Sequence, residues 1–118
     1  MYNEKSFENF MLKNILNETE LNYINKKTKK IDVDELKNLD LFGCFLIIKD
    51  DKIVDFKLLV PKIKNLKSML INIHEYTHAT LIYRHIYDNQ ELDESETLPK
   101  NNEKIYLNKI KKHQGVNS

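Results

Sequence analysis

Leu66–Asp88 reads LKSMLINIHEYTHATLIYRHIYD, and the rest of the chain is arranged around it. The stretch is built almost entirely of helix formers and holds neither Gly nor Pro, so it is expected to be one long helix. Apolar side chains from Leu66 to Ile86 fall on nearly all of its sides, which is the pattern of a buried helix. At its middle stand His74, Glu75, Tyr76, Thr77 and His78, an H-E-x-x-H motif. Residues four apart lie about one turn from each other on one helix face, so both imidazoles can reach a single ion. Glu75 sits beside that face and can reach a water on the ion without displacing either histidine. Two neutral imidazoles and a carboxylate suit zinc, with an open fourth position for water. The ion would acidify that water and Glu75 would accept its proton. The plainer alternative is that each histidine is a hydrogen-bonded core residue.

The chain has 118 residues, room for one domain, with a flexible tail expected over about 112–118. Its 19 Lys and Arg nearly balance 18 Asp and Glu, which argues against a dedicated nucleic-acid or membrane-surface protein. Cys44 is the single cysteine, so no internal disulfide is possible; among Phe42, Phe45 and Leu46 it reads as a small buried hydrophobe. The start, MYNEKSFENF, lacks the basic and apolar regions of a secretory signal, and no stretch approaches membrane-spanning length. A soluble cytoplasmic protein is the expectation.

Ahead of the central stretch, Phe7, Phe10, Met11 and Ile15 repeat at three and four, as in an amphipathic helix. Asn17 stands three residues before Glu20, a capping arrangement for a second helical piece that fades into KKTKK. Ile31–Asp40 reads as a link with one helical turn over DVDELKNL. Leu41–Lys49 reads as a buried strand, Asp50 and Asp51 as a tight turn, and Lys52–Val60 as the returning strand, with Pro61 ending it or marking it as an edge. Such an edge beside the central helix could pair with an extended peptide.

Behind the central stretch, DNQELDESE reads as a loop and Ser95 as the N-cap of a last helix that tolerates Pro99 in its first turn. Glu96 and Glu103 are seven apart and share a face, with Pro99, Tyr106 and Ile110 close to it, so at least one carboxylate points inward and needs a partner. A metal ion would be one. The extended motif that places a third histidine six residues after the second finds Arg84 there, and His85 lies about two turns from His78, too far to share the ion.

HEYTHA followed, after a short loop, by ETLPKNNEKIYL resembles the gluzincins, zinc peptidases with H-E-x-x-H and a downstream Glu ligand, and in length it is similar to the minigluzincins. The resemblance covers about residues 66–107. It implies His74, His78 and Glu96 as zinc ligands, Glu75 as general base and Glu103 as a support behind the ligands. By distance from His78 alone, Glu103 is an alternative third ligand. Tyr106, His85, Tyr83 and His113 are the candidates for an oxyanion donor, with Tyr106 preferred because it follows the glutamates on one helix. The expectation is therefore an α+β, small zincin-like domain with N-terminal helices, a short and mainly antiparallel sheet, the H-E-x-x-H helix and a Glu-bearing helix. Its expected activity is zinc-dependent endopeptidase cleavage of a peptide or protein substrate, latent if the tail from Lys109 fills the cleft. A non-enzymatic regulatory or binding domain with a structural or vestigial metal site is the alternative.

Overall fold

In a computed structural model, residues 1–33 and 39–114 are described, with side chains to Lys112. Helix α1 spans Glu4–Asn14 and α2 spans Glu18–Lys26. Strand β1 (Thr28–Ile31) follows, then a single 3-10 turn at Leu39–Leu41, strands β2 (Gly43–Lys49) and β3 (Lys52–Pro61), and helices α3 (Leu66–Asp88) and α4 (Thr97–Gln114). The protein is α+β, with four helices and a three-stranded mixed sheet among the described residues.

Three helices start on the same device. Asn3, Asn17 and Asn65 each accept the backbone N–H of the third helical residue, and Ser6, Glu20 and Ser68 return a side-chain bond to the cap. These reciprocal boxes satisfy donors that the first helical turn leaves open. Glu20 has a second task. Its nearly buried carboxylate receives Arg84 Nε at 2.7 Å and Nη2 at 3.1 Å, and Arg84 also donates to the Ile15 carbonyl. One ion pair thus ties the α1–α2 junction to the far half of α3.

The sheet order is β1-β3-β2. β2 pairs antiparallel with β3 from Gly43↔Leu59 to Lys49↔Lys52, around a two-residue turn in which Asp50 and Asp51 have φ of 52° and 61°. Two left-handed central residues are what a hairpin turn of matching twist requires, and Asp is among the few side chains that tolerate the conformation. β1 pairs parallel with β3 from Thr28↔Leu58 to Ile31↔Pro61.

Three expectations are corrected here. The lysine-rich KKTKK does not fade out of a helix but enters the sheet as β1, where alternation lets Lys29 stay exposed while Thr28 and Ile31 are half-buried. β3 is the central strand, not an edge; Pro61 is tolerated because the ladder ends there, and its carbonyl accepts Asn72 Nδ2 at 2.9 Å. The strand in Leu41–Lys49 starts at Gly43 and is largely exposed, with Phe45 and Ile48 at 51% and 61% exposure. α3 packs mainly on β3, so the outer strand lies beyond the helix that would cover it. Part of the expected turn over DVDELKNL, and the last four residues of the expected tail, lie outside the described residues, while α4 continues into that tail as far as Gln114.

α3 buries one broad face against β3 and α1, with Met69, Ile73, Tyr76 and Ala79 fully covered. Phe7 meets Tyr76 edge-on at 4.8 Å. The same helix buries Asn72, Thr77 and Thr80, polar groups that return hydrogen bonds to carbonyls four residues back. α3 stops at Asn89, left-handed with φ 57°, whose N–H bonds Arg84 O. No helix among the described residues is long and apolar enough to cross a membrane.

Candidate metal centre

The half-turn of rotation that puts Ile73, Tyr76 and Thr77 in the core leaves His74, Glu75 and His78 half-buried on the opposite flank of α3. The two imidazoles stack along the helix with ring centroids 5.1 Å apart. Opposite them, Glu96 stands immediately before α4, and its carbonyl accepts the first helical bond, from Lys100 N. Ser95 is held just before this by the Asp93 carboxylate, which accepts its N–H at 2.9 Å. The expected N-cap is thus displaced by one residue, and Glu96 itself occupies the helix boundary.

The Glu96 carboxylate bridges the histidines, with Oε2 2.5 Å from His74 Nε2 and Oε1 3.1 Å from His78 Nε2. Glu103, two turns further along α4, places Oε2 2.7 Å from the other ring nitrogen of His74, Nδ1. Asn102 anchors this arrangement from behind: it is buried and donates to Thr77 Oγ1 at 3.1 Å, fixing α4 beside the residue that precedes His78. Of the two glutamates predicted to share a face, both therefore turn toward α3, and they meet opposite edges of one imidazole.

This arrangement divides the roles. With Glu103 accepting from His74 Nδ1–H, an ion placed between Glu96 and His78 would meet the Nε2 lone pair, the usual support behind a metal-ligating histidine. One ligand atom from each of His74, His78 and Glu96 lies within 4.8 Å of the others. Donors around a tetrahedral zinc stand roughly 3.4 Å apart, as bonds of about 2.0–2.1 Å require. The donor set fits after a small opening of the His74–Glu96 contact, which the half-exposed Glu96 side chain can supply. The Glu103 hydrogen bond raises the pKa of His74 against the opposing effect of burial. Burial pushes Glu96 up, but the imidazoles of His74 and His78 outweigh it and hold the carboxyl below its ordinary value.

Glu75 lines the same cleft, a cavity of about 330 Å³. Burial raises its pKa, partly offset by the neighbouring imidazoles. That is the direction expected of a group that must hold a proton near neutral pH. The free edge of β2 forms one wall through Gly43, Cys44 and Leu46, and Leu92, Asp93 and Glu94 form another. Cys44 is half-buried, and burial together with the Glu75 charge pushes its thiol up to about 12, so it stays a neutral wall residue.

Tyr106 is not brought to this cleft. Three residues past Glu103 its ring turns toward α1 and packs edge-on against Phe10 at 5.1 Å. The expected oxyanion donor is thus not among the residues that line the cleft. Tyr83 lies against Tyr23 and Tyr87, and His85 Nδ1 bonds Gln90 O at the end of α3; the side chain of His113 lies outside those described. Sequence reasoning missed Asp93, Glu94 and Asn102. For Asp93 a signal was present in the D-x-S spacing of a side-chain turn; Asn102 and Glu94 carried none.

No protein-family model matches the chain, and neither a curated protein nor a solved structure is similar enough to be paired with it. The class of protein rests on the site itself.

Proposed function

We propose that the protein is a zinc-dependent endopeptidase with a small zincin-like fold, of the kind its likeness to the minigluzincins implies. The observation that carries the reading is the convergence of His74, His78 and Glu96, with one ligand atom of each within 4.8 Å of the others, while Glu75 lines the same cleft. His74 Nε2, His78 Nε2 and Glu96 would hold the ion. Zinc there would polarise a substrate carbonyl and acidify a water. Glu75 accepts the water proton and passes it to the leaving amine, a role suited to its raised pKa. Glu103 keeps His74 in one tautomer and one orientation throughout. An extended peptide substrate can add to the open edge of β2, whose residues already line the cleft.

One observation favours the non-enzymatic reading, a regulatory or binding domain with a structural metal site: none of Tyr83, His85 and Tyr106 faces the cleft. The two readings separate on Glu75→Gln, assayed for bound zinc by metal analysis and for cleavage of a quenched peptide library. A peptidase binds one zinc in both forms and loses about 100-fold to 10,000-fold in turnover on substitution. Zinc binding with no turnover in either form makes the site structural, and a folded protein that binds no zinc removes both metal readings.

A further inference from the structure

The cleft extends beyond the atoms that would hold an ion. One turn past His78, Ile82 lines the same cavity, together with Leu46 from β2 and Leu92 from the loop before α4. These three side chains give it an apolar part beside the histidines. Carboxylates line it as well. Asp93 spends one oxygen on the Ser95 N–H, and Glu94 takes part in no hydrogen bond or ion pair among the described residues. Charge is also left over. Glu75, Asp93, Glu94 and Glu96 all line the cavity, and no Lys or Arg does. A divalent ion brings two positive charges to four carboxylates, so the cleft stays negative when loaded.

Apolar side chains and an unpaired carboxylate lining one cavity match one kind of side chain. Lys and Arg lay their methylene stems on apolar surface and keep the charge at the tip. A Leu or Phe would leave Glu94 unpaired, and an acidic side chain would be repelled. We infer that this cleft selects a peptide carrying Lys or Arg beside the bond to be cut, with Ile82, Leu46 and Leu92 along the stem and Glu94 and Asp93 at the charge.

This inference rests on the peptidase reading, and its test separates the two. Zinc-loaded full-length Glu75→Gln protein is titrated with labelled Ala/Gly hexapeptides in which a single Lys, Arg, Leu or Glu is scanned through every position, read by fluorescence anisotropy. At the best position the Lys and Arg peptides are expected to bind at least fivefold tighter than Leu, and the advantage shrinks as salt rises. Glu94→Gln removes up to about fivefold of that preference, the range for a solvent-accessible ion pair. Asp93→Asn, which keeps the turn to Ser95, reduces it further, and Glu94→Lys turns it toward Glu. Peptides that bind without charge preference, or a preference indifferent to Glu94 and Asp93, overturn the inference and leave the peptidase standing. Failure of every peptide to bind overturns both. A second zinc equivalent lost on Glu94→Gln would assign these carboxylates to a metal and overturn the inference as well.

Discussion

Replacing Glu103 by Ala tests the division of labour between the two glutamates. Its carboxylate stands 2.7 Å from His74 Nδ1 and is one-quarter exposed. The substitution removes the acceptor that fixes the His74 tautomer but leaves the three converging donors in place. Loss of a partner behind a metal-ligating histidine weakens metal binding by about 10-fold to 100-fold. At fixed excess zinc, each tenfold is a loss of about 1.4 kcal/mol in ligand-induced stabilisation. Unfolding entropy near 2.1 cal/mol/K per residue comes to about 0.25 kcal/mol/K for a chain of this length, so the zinc-induced rise in Tm should shrink by about 6–11 °C. Chelator competition gives the affinity and differential scanning with and without zinc gives the shift; the zinc-free Tm of each variant controls for packing. Glu96→Ala, which removes a donor, should abolish measurable zinc binding. The reverse order, with Glu103→Ala abolishing binding and Glu96→Ala mild, would show that Glu103 is the ligand. Equal and small effects of both would refute the site.

Further outcomes follow from the same geometry. Glu75→Gln should hold zinc as tightly as the parent while turnover collapses, as set out above. Tyr106→Phe should leave kcat and KM within about twofold of the parent in steady-state assays, because the phenol faces α1; a larger fall in kcat would return Tyr106 to the mechanism. Arg84→Met strands the buried Glu20 carboxylate and should cost about 3 kcal/mol in urea unfolding at neutral pH. Burial opposes ionisation of Glu20, but its bonds from Arg84 and Asn17 outweigh that and lower its pKa. With the folded pKa below the unfolded one, its stabilisation is complete above the ordinary carboxylate range and fades as pH falls through the lowered value. Glu20→Gln should therefore flatten the acid limb of the stability curve between about pH 5 and the lower pKa; an unchanged limb would assign acid sensitivity elsewhere.

Helices were the legible part of the sequence. Asn17 with Glu20, and the unbroken run from Leu66, predicted where chains of hydrogen bonds begin, because capping and periodicity are local properties. The sheet was less legible. Lys29 and Lys30 disguise β1, since a parallel strand's partner, here Leu58–Pro61, is supplied by residues about thirty positions away. GCFLII looks like a core strand by composition, yet which strand lies outermost depends on topology, not on its own residues. At the site, the spacing of His74 and His78 forces a shared face on any helix, and seven-residue spacing brings Glu96 and Glu103 round together. Which glutamate meets which nitrogen depends on where α4 starts and on the Asn102–Thr77 bond. Tyr106 fails for the related reason that a three-residue step turns it off the glutamate face and against Phe10.

Glu96 is both the side chain that spans the two imidazoles and the residue from which α4 starts. A group that seats its carboxylate therefore also steadies the first coil of the last helix. An ion held there, as proposed, would couple its uptake to the order of that coil, so amide exchange in the opening turn of α4 would act as a built-in gauge of occupancy, while the Asn102–Thr77 bond keeps the rest of α4 in place.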